Sequence, residues 1–415
     1  MTKNLVGRLD HLTFKGNLAK SRYGWLRLTP AYSVHLVEEL LDAEADDGAT
    51  VLDPFCGTGT TALVCAERGI PCTTTDINPF LLWLAGAKCA RYTPPQIDLC
   101  RNLARQVTGA IVNLAAQRPW TPPIHQIEKW WDERALLALG RALAQIKQIS
   151  TEFPTNSVNL LLVAFCRTMI DVAHVSFGHQ SMSFKRKEVP PILALIQSEE
   201  DAVAESWERS AATVMSGGAT EIAGSPDFVL CDARDLKSEL HSNRYSCVIT
   251  SPPYPNRMSY IRELRPYMYW LGYLAESRAA GELDWKAIGG TWGCATSNLT
   301  RWEPEAEVSI PFGQFAEVLD RIAERSGLLS RYVHRYFCDM VGHVRSLFQV
   351  VQPGGAVHYI VGNSKFYDVM LPVEAIFAAL FKAAGFSEVS TKVVRKRTSK
   401  KELFEFLVSA RKPNR

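Results

Sequence analysis

Short apolar runs, each stopped by a small or acidic residue, recur along this chain and read as buried strands of a parallel sheet. Thr50–Leu52 runs into Asp53, a second β-rich run ends at Asp76, "PDFVLCD" ends at Asp232, and Cys247–Thr250 runs into Ser251. Between the first two lies a helical pattern through Arg68, closed by Gly69, so the segment reads as a strand–helix–strand unit. A 3.6-residue period dominates "QIDLCRNLARQVTGAIVNLAAQ", "DERALLALGRALAQIKQI", "SVNLLLVAFCRTMIDVAHV" and "DAVAESWERSAATVM". These helices fall between the second and third strands, a stretch too long for a simple connection within one sheet. "LFQVVQPGGAVHYIVGNSKF" reads as helix, turn and strand, and "FSEVSTKVVRKRTSKKELFEFLVSARK" as a closing antiparallel hairpin.

The pattern predicts an α/β protein with a large helical insert. Core pieces are expected at 1–92, 226–272 and 331–415, a mainly helical insert at 93–225 and a loop-rich insert at 273–330. Composition alters this little. The 415 residues are 47% hydrophobic and 21% charged, as in soluble globular proteins, and exceed what one compact core needs. A net charge of +3 does not by itself imply nucleic acid. The most apolar helical run carries Arg167 and Asp171, which excludes it as a membrane span. The N-terminal residues have no apolar signal core, so an intracellular protein is expected. The ten cysteines form no CxxC pair and no Cys/His cluster with zinc-ligand spacing, so reduced thiols and no metal are expected.

Two stretches carry chemistry. In "DPFCGTGTT", Asp53 precedes Gly57 and Gly59 at a strand end, and Asp76 ends the next strand. An acid there is placed to hold ribose hydroxyls. A carboxylate before the glycines would repel a pyrophosphate but accept from an ammonium, and no P-loop pattern is present, so a nucleoside with a cationic amino-acid tail fits best. In "TSPPYPN", two prolines stiffen the end of a strand beside Tyr254. Ser251 and the Pro252 carbonyl offer hydrogen-bond acceptors there, and Pro253 holds them rigid beside the Tyr254 ring.

With "TDINP", these stretches resemble motifs I, II and IV of the DNA amino-methyltransferases, the last in its cytosine-N4 form. "PDFVLCDARDL" and "RYGWLRLTPAYSVHLVEELL" are similar to that family's motifs III and X. The resemblance implies a class I, Rossmann-like sheet, mostly parallel with an antiparallel hairpin, binding S-adenosylmethionine. It places Asp53, Pro54, Phe55, Gly57, Gly59 and Thr60 around the methionine, with Trp25 and Thr29 closing over it. Asp76 and Ile77 would take the ribose, and Asp232 and Ala233 the adenine. The substrate would be double-stranded DNA with a flipped cytosine, its amino group accepted by Ser251 and the Pro252 carbonyl and its ring stacked on Tyr254. A restriction endonuclease encoded separately would accompany the enzyme, in the cytoplasm of a prokaryotic cell or from a phage, near the nucleoid. Adenine N6, an RNA base and a non-catalytic binding relative are the alternatives. Lys185, Arg186, Asn256, Arg257 and Asn363 are the candidate substrate contacts, with a solvated charged turn as the competing reading of the basic ones. The basic run Arg395–Lys401 is open to the same two readings.

Overall fold

The computed structural model describes residues 14–18, 20–28, 31–46, 48–115, 117–176, 183–184, 198–256, 258–276, 278–397 and 402–414. Seven strands share one sheet: β1 (Val51–Asp53), β2 (Cys72–Asp76), β3 (Asp227–Leu230), β4 (Tyr245–Thr250), β5 (Val351–Gly362), β6 (Ser387–Lys396) and β7 (Phe404–Arg411). Their spatial order is β6-β7-β5-β4-β1-β2-β3. β1 to β5 run parallel, and β7 lies antiparallel to both β5 and β6. The sheet is mostly parallel with an antiparallel C-terminal hairpin, as expected for a class I, Rossmann-like sheet.

Alternation along the strands divides the core into two layers. Val51, Cys247, Ile249 and Ile360 face the helices α1 (Val34–Glu44) and α2 (Thr60–Arg68). Their neighbours Leu52, Val248, Val357 and Tyr359 pack with the long helix Gly327–Val350 and with Val373–Ala383 on the opposite face. The central strands are covered on both sides, which is why they read as unbroken apolar runs.

The four insert helices stand where their period places them: Pro94–Val112, Glu133–Ile149, Thr155–Asp171 and Glu199–Gly218. They are not a separate unit. Leu103, Leu139, Phe165 and Trp207 share one hydrophobic cluster with Phe80 and Leu84 of helix Pro79–Cys89 and with Leu264 and Met268 of helix Tyr260–Trp270. A fully buried arginine fastens the same junction. Arg22 donates to the Gly217, Gly218 and Thr220 carbonyls and to those of Lys88 and Ala90, closing the C-terminal ends of two helices at once. The negative ends of both helix dipoles converge on its charge. The 273–330 segment, expected to be loop-rich, contains the short helices Ala279–Lys286, Cys294–Leu299 and Phe315–Ala323. Its glycines and tryptophans mask the helical period. No helix among the described residues is long and apolar enough to cross a membrane.

Candidate active site

β1 has β2 on one side and β4 on the other, so the strand order reverses beside it and a crevice opens at the C-terminal edge. Asp53, Asp76, Asp232, Ser251 and Gly362 all lie at or just beyond strand ends on this edge. Glu405 joins them because β7 runs the other way and begins opposite Gly362.

The glycine loop is held from beneath. Gly59 precedes α2 with φ +76°, and a Cβ there would stand 2.7 Å from that of Ala85. Only glycine meets both demands. The buried Lys88 ammonium donates to the Thr58 carbonyl at 2.9 Å, and burial pushes its pKa down to about 8. Asp53 is fully buried. It accepts from Thr250 Oγ1 at 2.6 Å, from the Phe55 N–H at 3.1 Å and from the Tyr32 hydroxyl at 3.2 Å. Burial pushes its pKa up to about 7, against those three bonds. The expected ammonium contact is therefore corrected: the carboxylate is enclosed, and it acts through the loop and the strand end that it holds.

Phe55, Gly57, Asp76, Ile77 and Asp232 are half-buried and line the open side, whereas Pro54, Thr60 and Ala233 are buried behind them. Asp76 accepts from the Gly57 N–H at 3.2 Å and the Asn78 N–H at 2.9 Å, and burial raises its pKa to about 6. Asp232 caps the turn beginning at Ala233 and pairs with Arg234 at 2.6 Å. Burial works to raise its pKa, but the bonds from Arg234 outweigh it and hold the carboxyl below its ordinary value. His343 donates from Nδ1 to the Ala233 carbonyl at 2.7 Å and meets the Tyr359 hydroxyl at 2.5 Å. Burial lowers its pKa to about 4, so it is neutral, and its ring packs edge-on to Phe55.

Across β4, the Ser251 hydroxyl donates to the Ile360 carbonyl at 3.0 Å. Tyr336 donates to the Pro253 carbonyl at 2.7 Å, and the Tyr254 N–H donates to the Tyr260 hydroxyl at 3.3 Å. The Tyr254 hydroxyl reaches Glu405 at 3.0 Å, and Arg395 pairs with Glu405 at 2.7 Å. The prolines have thus become a turn anchored from three directions.

Other expected residues are placed differently. Trp25 is fully buried, and a Cβ on Gly217 would stand 2.5 Å from its indole nitrogen, so it belongs to the core and does not cover the cofactor crevice. A large apolar ring looks the same in sequence whether a ligand or a helix covers it. Asn363 spends its amide on the closing hairpin, donating to the Glu402 carbonyl and accepting from the Phe404 N–H. Asn256 accepts from the Met258 N–H and shapes the turn after Tyr254. Thr29, Lys185, Arg186 and Arg257 lie outside the described residues. Arg265 is clamped between Trp130 and Trp292, 5.2 and 5.0 Å from their centroids. It joins one insert to the other. Sequence reasoning missed Tyr32, Lys88, Arg234, His343 and Glu405. Among the described residues, no group of three or more His, Cys, Asp or Glu could hold a metal ion.

Residues 25–85, which hold the glycine loop and Asp76, match the family described as DNA methylase. In this stretch the chain is similar to the DNA amino-methyltransferases. Similar proteins include the Type II methyltransferase M.AvaI of Nostoc sp., 21% identical over 91% of this chain and 81% of that one. M.BsoBI of Geobacillus stearothermophilus is 21% identical over 93% and 82%, and M.MvaI of Kocuria varians 22% over 80% and 73%. The similarity to M.AvaI and M.BsoBI runs through the inserts as well as the core.

Proposed function

We propose that this chain is an S-adenosylmethionine-dependent amino-methyltransferase acting on duplex DNA, methylating the exocyclic N4 of a cytosine flipped into the crevice, as the modification partner of a restriction endonuclease. The observation that carries the choice of an amino group is the Ser251 hydrogen bond. A hydroxyl can donate or accept. Because its proton goes to the Ile360 carbonyl, the Ser251 oxygen offers lone pairs to the crevice. An amino group conjugated with a base ring is a poor nucleophile. Accepting one N–H at Ser251 and the other at the Pro252 carbonyl draws the nitrogen toward tetrahedral geometry and frees its lone pair for attack. Serine rather than aspartate at this position leaves less negative charge against the O2 and N3 of a pyrimidine, which favours cytosine over adenine.

The donor set fits S-adenosylmethionine. Half-exposed carboxylates at the ends of β2 and β3 suit ribose hydroxyls and an adenine amino group, and Phe55 and Gly57 offer an apolar wall and an open backbone beside them. When bound, this cofactor supplies a methyl group on a positively charged sulfur. Tyr254 would stack on the base, with its hydroxyl held by Glu405 so that the ring keeps its place. The inserts, joined at Arg265, would read the flanking sequence.

The test is incubation with tritiated S-adenosylmethionine, mixed genomic DNA and total RNA, followed by nucleoside digestion and mass spectrometry. N4-methyldeoxycytidine is the expected product. N6-methyldeoxyadenosine would overturn the argument from serine, and label confined to RNA would overturn DNA as substrate.

A further inference from the structure

The closing hairpin brings to Tyr254 a positive charge that no carboxylate among the described residues pairs with. Arg395 is spent on Glu405 through bonds of 2.7 and 3.2 Å, and these two charges cancel. Two residues further on, the half-buried Arg397 lies over the Tyr254 ring, its guanidinium carbon 5.1 Å from the centroid. It gives one N–H to the Asn363 carbonyl at 3.1 Å and forms no ion pair among the described residues. A guanidinium carries five N–H donors in a flat fork, so most of its capacity is unspent. Gly362 makes the approach possible: a Cβ there would meet Arg397 Nη1 at 2.5 Å and the Tyr254 ring at 2.9 Å.

We propose that Arg397 binds the phosphodiester of the nucleotide whose base enters beside Ser251 and Tyr254. The inference rests on the reading of this crevice as a DNA-methylating site. Three features favour a phosphate over other acceptors. A partly desolvated guanidinium without a carboxylate gains most from an anion, and its fork matches two phosphate oxygens. The cofactor-side carboxylates of β2 and β3 lie across β4 and β1 from the hairpin, so the charge belongs to the substrate side. A base stacked on the other face of Tyr254 would have the ring between itself and Arg397, whereas its backbone can pass round the ring edge.

Binding of fluorescent duplex DNA by the full chain, followed by anisotropy from 50 to 200 mM salt, tests this. Arg397→Ala should weaken binding about tenfold, as for loss of one charged hydrogen-bonding contact. It should also lower the slope of log affinity against log salt by about 1, as for one phosphate. Arg397→Lys should keep the slope while losing part of the affinity. Lys392→Ala, on the exposed part of the same hairpin, should change neither. Affinity for S-adenosylmethionine, measured by calorimetry, should be equal in all four proteins and also reports folding. Weaker binding with an unchanged slope would assign Arg397 to a base edge and overturn the proposal. So would an equal loss in Lys392→Ala, a loss of cofactor affinity alone, or no effect. Wild-type protein that binds no duplex at any salt would instead end the reading of function on which the proposal depends.

Discussion

Ser251 and Asp53 show how single side chains in this crevice are set by what holds them. Ser251 is an acceptor because Ile360 takes its proton, and Asp53 is a strut because Thr250, Phe55 and Tyr32 enclose it. Under the proposed reaction, Ser251→Ala removes one of two acceptors for the target amine. Turnover should fall by about 100-fold or more, the size of losing one preorganised polar contact at the reacting group, while binding of DNA and cofactor persists. Single-turnover kinetics beside equilibrium binding would check this. Asp53 makes a prediction about pH. Its folded pKa, about 7, lies above the unfolded carboxylate value, so its contribution to stability is complete at low pH and is lost as pH rises toward 7. Asp53→Asn cannot ionise. Urea unfolding from pH 4 to 8 should therefore show the variant gaining on wild type by up to about 1.4 kcal/mol per pH unit in that window, then levelling off. Parallel stability curves would refute the assignment.

Among the elements, two helix ends depend on one buried donor. Arg22 satisfies carbonyls at the end of Pro79–Cys89 and at the end of Glu199–Gly218, two helices far apart in sequence. Replacing it by methionine fills the space but leaves several buried carbonyls without donors. The loss should be on the order of 3 kcal/mol or more in chemical denaturation, and Arg22→Lys should recover little because one ammonium cannot span both helix ends. The hairpin β6–β7 is an element with a second task. Its closure completes the sheet edge, and it also delivers Glu405 to Tyr254.

For the whole molecule, the inserts and the methyltransferase core are one packing unit. Helices of the 93–225 insert share their hydrophobic cluster with Pro79–Cys89 and Tyr260–Trp270, and Arg265 stacks between Trp130 and Trp292 of the two inserts. A fragment of residues 93–225 would expose the face that those helices cover. Expressed alone, it should show helical far-ultraviolet dichroism with little near-ultraviolet signal and no sharp thermal transition. A cooperative transition in that fragment would mean the insert is an independent domain. The sharing also means that a change in the packing of the insert can be felt at Tyr260, whose hydroxyl accepts from the Tyr254 N–H.

The sequence alone determined the strands, the closing hairpin, the helical character of 93–225 and the positions of Asp76, Asp232 and Ser251 at strand ends. Those features depend on local rules: apolar period, glycine where φ is positive, proline where a strand must stop. It could not separate Trp25 in the core from an aromatic ring over a ligand, because both are apolar and differ only in what covers them. Nor could it single out Lys88, Arg22 or Glu405. Lys88 and Arg22 are charged residues in runs that read as ordinary helix or turn, and their burial depends on partners brought in by the fold. Glu405 lies 151 residues from Tyr254 and meets it only because β7 runs antiparallel to β5. The tertiary structure decided which charges are cancelled and which remain open, since cancellation requires a partner within about 4 Å and sequence spacing does not report distance across a sheet.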